Sequence, residues 1–499
     1  MFTEARFTDL VLPMRAGGPL IRVERGWVAP PGPVALLHPF DEQAAFYRHG
    51  WNSWSPSGWR RLTDAPLRIG GDPARLLTAD DAANDTPASH SGSAVGALEA
   101  PDGRVLLLGA LGLGTPRVAA DPHVLRGTTE DVGDGWFVAF GDEEEVFDAY
   151  AAQVADRLGG RDRRAGAVWS SWYSFYEDVD EALIARTVED LRGHPFDVVQ
   201  LDDGWEVAVG DWIANERFPS GMTATARRIA DAGFRPGLWL APLIALPHSA
   251  VAREHPDWLV QDDDGRPAVT GTNWGAGYHA LDTTRAEVLE HLDEVLRRAV
   301  DSGFTYLKLD FLNAGAVHGH RARDLPRERV YRDAVQHVRR TVGDDVYLLG
   351  CGAPILPSVG VFDGVRVGPD TAAFWDNAER PDDPSGSGAR NAIAASIERA
   401  WQRPWFELDP DAVYFRRRRS LLDEPQRQLV QDAATVLRFK QTSDPMAWLD
   451  AQERAALDEW LAADETVRRT GRGTWRIDGR DVDFGPALAA PPHPSTVVE

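Results

Sequence analysis

The sequence predicts a multidomain α/β chain. A (β/α)8 TIM barrel lies between an N-terminal antiparallel β-sandwich and a short C-terminal helix and hairpin. Three observations lead there. Up to residue 165, Gly and Pro punctuate short apolar runs. Beyond it, eight apolar runs of strand length alternate with amphipathic helical patterns. No strand–helix joint carries the Gly-rich phosphate turn of an open doubly wound sheet. The expected parts are residues 1–165, 166–450 and 451–499.

In the first part, "GRVLLLGALGL" from Gly103 and "GWFVAFG" from Gly135 read as antiparallel strands. "EEEVFDAYAAQVADRL" from Glu143 reads as a helix and leads into the basic linker "GGRDRRAG". In the second part, "AGAVWSSWY" is strand one, "FDVVQLDD" two and "RPGLWLAP" three. The helix "TRAEVLEHLDEVLRRAVDSG" enters "YLKLDF", strand four, and "RERVYRDAVQHVRRTVG" enters "VYLLGCG", strand five. "DGVRVGPD" is strand six, "PWFELDP" seven and "PMAWLD" eight. Gly233 and Gly303 follow helices and suit left-handed C-caps. In the last part a helix is expected near Gln452–Arg469. "WRIDGRDVDF" then reads as a hairpin turning at Asp478-Gly479, and the Pro-rich tail "PALAAPPHPSTVVE" as frayed.

A chain of 499 residues is too long for one small domain. Its net charge of −24 disfavours nucleic acid and anionic lipid as partners. Cys351 is the one cysteine, so no intrachain disulfide can form. The start lacks a basic segment followed by an apolar run of secretory length. No stretch has the roughly 18 apolar residues of a membrane span. A cytoplasmic protein with no membrane contact is expected, and a homo-oligomer is left open.

Barrel active sites lie at the C-terminal strand ends. Strand one ends in Trp172 and Tyr173, and strand two in Asp202, Asp203 and Trp205. Strand three carries Trp239, and strand four Lys308 and Asp310. Strand five ends in Cys351, strand six in Arg366 and Asp370, and strand seven in Asp409 and Asp411. Each Trp alone reads as core, and each Asp alone as a helix cap or ion pair. Together they suit a sugar, whose apolar face stacks on Trp and whose hydroxyls donate to carboxylates. Metal chemistry is disfavoured, since no His-x-His or His-Glu-x-x-His occurs, and no cofactor is implied. Ser-His-Asp chemistry lacks a Gly-x-Ser-x-Gly turn. Cys351 has no evident His partner and reads as a small apolar filler.

Of 53 basic Lys and Arg residues, only Lys308 and Lys440 are lysine. Residues two apart on a strand share a face, so Lys308 and Asp310 are expected to point together into the barrel mouth. There the amine would hold Asp310 ionised, as a carboxylate nucleophile requires. A lysine is a slim point charge, whereas arginine is a wide fork. Lys440 reads as a helix residue without such a neighbour. The second carboxylate must carry a proton at neutral pH. Asp370 follows Gly368-Pro369, which limits backbone donors to it, and Phe374 and Trp375 would desolvate it. Two carboxyls about 5–5.5 Å apart would make a retaining glycosidase.

"SSWYSFY", "VVQLDDGWE", "PGLWLAP", "EHPDWLV", "YLKLDFLNAGAV", "LLGCGAP" and "GVRVGPDTAAFW" resemble glycoside hydrolase family 36, the α-galactosidases, in family order from about residue 166 to 415. "GWNSWSPSGW" from Gly50 resembles the family's N-terminal loop that reaches over the active site. The resemblance implies Asp310 as nucleophile and Asp370 as general acid/base. It implies that Asp202 and Asp203 hold the 4- and 6-hydroxyls of galactose, and that Trp239 stacks near the ring. Lys308 and Arg366 would bind hydroxyls, and Cys351 would line the pocket near the 2-position. Trp172, Tyr173 and Trp54 would form the wall. "VWSSW" and "LDDGWE" depart from the family's more usual forms, and the C-terminal part is shorter than in relatives.

The expected substrate is a small oligosaccharide, cleaved at a terminal α-D-galactoside. The alternatives are a galactosyl transferase, an α-glycosidase for another sugar such as α-N-acetylgalactosaminide, and a sugar-binding protein without turnover.

Overall fold

A computed structural model describes residues 2–69, 78–79, 90–131, 133 and 135–489. The first part forms two antiparallel sheets of six and seven strands. Val105–Ala110 shows why such runs become strands. All six residues are buried, and they pair on one side with Val95–Glu99 and on the other with Trp136–Gly141. The helix Glu143–Leu158 follows. The Asp142 side chain caps its start by accepting from Glu144 N and Glu145 N.

Eight parallel strands form the central sheet: Val168–Ser170, Val198–Leu201, Arg235–Leu240, Tyr306–Leu309, Tyr347–Gly350, Gly364–Arg366, Glu407–Asp409 and Gln441–Thr442. The first and last pair in parallel, through Val168↔Gln441 and Trp169↔Thr442. Val413, just past the seventh strand, bridges Thr442 and so curls the sheet back toward its other edge, a TIM-like arrangement. Strands two to seven are buried almost throughout, as parallel strands covered by helices must be. The helix Ala286–Asp301 buries Val288, Leu292, Val295, Leu296 and Ala299, one face at helical spacing. The glycines after helices, Gly233 and Gly303, adopt φ of 98° and 105°.

Three expectations are corrected. The eighth strand is Gln441–Thr442, and "PMAWLD" instead holds a short 3-10 helix, Met446–Trp448. Pro445 has no N–H to give a ladder. Strand one ends at Ser170, so Trp172 and Tyr173 belong to a short helix, Trp172–Phe175. The C-terminal helix, Ala451–Ala462, stops before Arg469, and Val467–Gly471 becomes a third strand beside the Asp478-Gly479 hairpin. The last ten residues of the tail lie outside the described residues.

The floor of the sheet holds a buried carboxyl. Glu407 Oε2 accepts from Ala165 N at 2.8 Å and from the Tyr347 hydroxyl at 2.6 Å. Burial pushes this carboxyl up to about 7. The folded chain therefore binds that proton more tightly than the unfolded chain. Its stabilising effect is complete below the ordinary carboxylate range and is lost as pH rises through about 7. Glu407→Gln should thus gain relative to the parent as pH rises. Melting temperatures of both at pH 5 and pH 8 test this, and a constant difference would refute it.

Candidate active site

Two adjacent carboxylates stand at the end of strand two. Asp202 Oδ2 accepts from Lys308 Nζ at 2.9 Å and from Gln200 Nε2 at 2.6 Å. Asp203 Oδ2 accepts from Trp274 Nε1 at 2.8 Å. Burial, and then the neighbouring Glu206 carboxyl, raise the Asp203 carboxyl well above its ordinary range. The chain must turn tightly behind this pair. Gly204 does so at φ 109°, where a Cβ would sit 2.6 Å from Glu177 O.

Lys308 and Asp310 are not direct partners. Strand four ends at Leu309, and the Lys308 amine ion-pairs with Asp202. Asp310 lies one residue beyond the strand, held by two other donors. Phe311 N donates to Oδ1 at 2.7 Å, and Trp239 Nε1 donates to Oδ2 at 3.1 Å. Lys308 still feels the Asp310 charge, after that of Asp202. Trp239 is 2% exposed, so its contact with the site is this N–H rather than an open ring face.

Cys351 is buried at the end of strand five, and burial pushes its thiol up. It lies in the field of Asp310, Arg366, Lys308 and Asp370, so the charges of both candidate catalytic carboxyls reach one thiol. Arg366, on strand six, gives Nε to Asp409 at 3.0 Å. Its Nη1 reaches Asp411 at 2.8 Å and Asp370 at 3.2 Å. Among the described residues its buried Nη2 has no hydrogen-bond partner, leaving one guanidinium nitrogen for a ligand oxygen.

Asp370 differs from expectation. Its side chain is 42% exposed and touches Arg366, so the protein alone does not desolvate it. Tyr173 is buried and donates its hydroxyl to Asp411 Oδ2. Trp172 is half-buried and packs edge-on against Tyr176, with ring centres 5.4 Å apart.

The N-terminal part contributes Trp54. Its ring sits 5.5 Å from that of Phe311. Arg399, from the second part, anchors this loop by donating to Asn52 O at 2.8 Å, to Ser55 O at 2.6 Å and to Ser57 Oγ at 2.9 Å. Gly352 faces Trp54 at φ 61°, and a Cβ there would stand 2.7 Å from the indole. Gly352→Ala should therefore displace Trp54 and raise KM several-fold with a smaller change in kcat. Steady-state kinetics on an aryl glycoside checks it, and an unchanged KM would remove Trp54 from the binding wall.

Sequence reasoning missed Trp274, Glu206 and the roles of Asp411 and Arg399. Trp274 occupies the tip of a hairpin between Val269–Asn273 and Ala276–Ala280. With Gly275 it makes a two-residue turn with φ of 50° and 70°. Its ring lies 5.1 Å from Phe311 and 6.4 Å from Trp239. The Trp-Gly pair between the short segments "VTGTN" and "AGYHA" was the local signal for this hairpin. Among the described residues, no cluster of three or more His, Cys, Asp or Glu could hold a metal ion. No helix among them is long and apolar enough to cross a membrane.

The Melibiase family model matches residues 146–338. The α-galactosidase AgaA of Geobacillus stearothermophilus is 31% identical over 201 residues, which cover 38% of this chain and 26% of that protein. Its crystal structure, that of a GH36 α-galactosidase, has a TM-score of 0.61 at 15% identity, covering 90% of this chain and 65% of the other, and shows the same fold. An A type blood α-D-galactosamine galactosaminidase of Flavonifractor plautii is 31% identical over 208 residues, 37% of this chain and 19% of that protein. These matches span about a quarter and about a fifth of the two curated relatives. TtGalA, an α-galactosidase from Thermus thermophilus solved with p-nitrophenyl α-D-galactopyranoside, is 41% identical with a TM-score of 0.91, covering 98% of this chain and 100% of that one. TtGalA has also been solved with stachyose.

Proposed function

The chain belongs to the glycoside hydrolase family 36 α-galactosidases, and on that premise we propose that it hydrolyses terminal α-D-galactosides of small oligosaccharides by a retaining double displacement. The observation that carries the reading is that two carboxyls with unlike surroundings, Asp310 and Asp370, both act on Cys351. Asp310 is held by two N–H donors, so its lone pairs are aimed. The Asp370 side chain is 42% exposed, so a leaving oxygen can reach it.

Asp310 attacks the anomeric carbon while Asp370 passes its proton to the departing oxygen. A β-galactosyl ester on Asp310 results. Asp370 then takes a proton from water, which attacks the ester and releases galactose with its configuration kept. Asp202, Asp203, Lys308 and the free Nη2 of Arg366 bind the ring hydroxyls, and Trp54 and Trp274 wall the sugar. The stachyose complex of TtGalA supports an oligosaccharide rather than a polymer.

A second reading is favoured by the galactosaminidase relative. It keeps the machinery and changes the 2-substituent, where Cys351 would stand. A panel of nitrophenyl α-glycosides decides between them. The α-galactoside should turn over at least about tenfold faster than the α-galactosaminide, the N-acetyl form and the α-glucoside. Proton NMR should show α-galactose as the first product. Turnover of the amino sugar alone, or β-galactose first, would refute the reading.

A further inference from the structure

The carboxylate most tightly tied to the site is one to which the proposed mechanism gives no step. Asp411 follows strand seven at φ 84° and is 1% exposed. Its Oδ2 accepts from Arg366 Nη1 at 2.8 Å, from Thr371 N at 2.9 Å and from the Tyr173 hydroxyl. Its Oδ1 accepts from Ala412 N at 2.7 Å and from Gln441 Nε2 at 3.4 Å. Thr371 is the residue after Asp370, so one Asp411 oxygen fixes both the acid's backbone and its guanidinium neighbour.

We propose that Asp411 is a positioning residue for the proton donor: it takes up the charge of Arg366 through the same Nη1 that reaches Asp370, and so leaves Asp370 able to carry a proton. The inference rests on Asp370 being the general acid. An arginine beside a carboxyl favours its ionised form, which is the wrong form for a donor. Arg366 is tolerable there because Asp409 and Asp411 share its charge. The charged and titratable groups around Asp411 are Arg366, Asp409, Asp370, Lys308, Tyr173 and Tyr414. Burial, against the pull of Arg366, raises the Asp411 carboxyl to about 6, so at neutral pH it is still an anion.

Asp411→Asn removes that anion and keeps the shape. Arg366 then pairs with Asp370 and holds it ionised. The alkaline limb of kcat/KM should move down by about one pH unit or more. An alkyl α-galactoside, whose leaving group needs a proton, should lose at least about tenfold more kcat/KM than a dinitrophenyl α-galactoside, whose leaving group does not. The ratio between two substrates in one preparation is independent of the folded fraction. If Asp411→Asn does not fold, Asp409→Asn weakens the same guanidinium's compensation from its Nε side and should move both readouts the same way. An unmoved limb with equal loss on both substrates would leave Asp411 a structural residue and overturn the proposal. Asp370→Ala is the control. If it discriminates between the leaving groups and Asp411→Asn does not, only the Asp411 proposal falls; if it too fails to discriminate, the assignment of Asp370 falls and the Asp411 proposal with it.

Discussion

Asp310→Gly is expected to lower kcat on an aryl α-galactoside by on the order of 10⁴-fold or more, about 5.5 kcal/mol of barrier. The fold should survive. Asp310 N donates to Leu240 O at 2.8 Å, a backbone bond that glycine keeps. What goes is one carboxylate aimed by Phe311 N and Trp239 Nε1. The vacated space lies on the face opposite the leaving group, so azide can enter there. It should restore turnover and yield β-galactosyl azide, since a single displacement inverts the anomeric centre. Full activity without azide, or α-galactosyl azide, would remove Asp310 from the role of nucleophile.

Lys308→Met should be nearly as damaging, and for two separable reasons. The amine and Asp202 are 6% and 3% exposed and 2.9 Å apart. Removing one partner strands a buried charge, which costs about 3–5 kcal/mol of stability. It also removes a hydroxyl ligand, so kcat/KM should fall by about 10³-fold. The double variant Lys308→Met, Asp202→Asn separates the two. Its stability should recover, because no unpaired charge remains, and its activity should not. Recovery of both would show that the pair only stabilises the barrel. Lys308→Arg should also fail, because a planar fork does not fit a slot built for a point charge. The other lysine has the same kind of job. Lys440 Nζ serves Ala463 O at 2.6 Å, Glu465 Oε2 at 3.0 Å and Trp460 O. It is therefore not the partnerless helix residue that the sequence suggested.

Much of the site is legible in the chain because strand ends are legible. Apolar runs followed by Asp, Trp or Arg mark where the barrel opens, and the residues there need no partner to be noticed. Partners are another matter. Periodicity placed Lys308 and Asp310 on one face, but the amine chose Asp202, 106 residues earlier. Trp274 meets Asp203 across 71 residues, Tyr173 meets Asp411 across 238, and Arg399 meets Asn52 across 347.

The sequence by itself determined the alternation that makes the barrel, the family, and which residue types ring its mouth. Only the tertiary structure decided which carboxylate each cation serves, that Asp370 is half open, and that a hairpin tip and an N-terminal loop meet at Phe311. The reason is physical. Side-chain direction follows from local backbone repeat, whereas the energy of a buried charge depends on whichever opposite charge folding brings within about 3 Å.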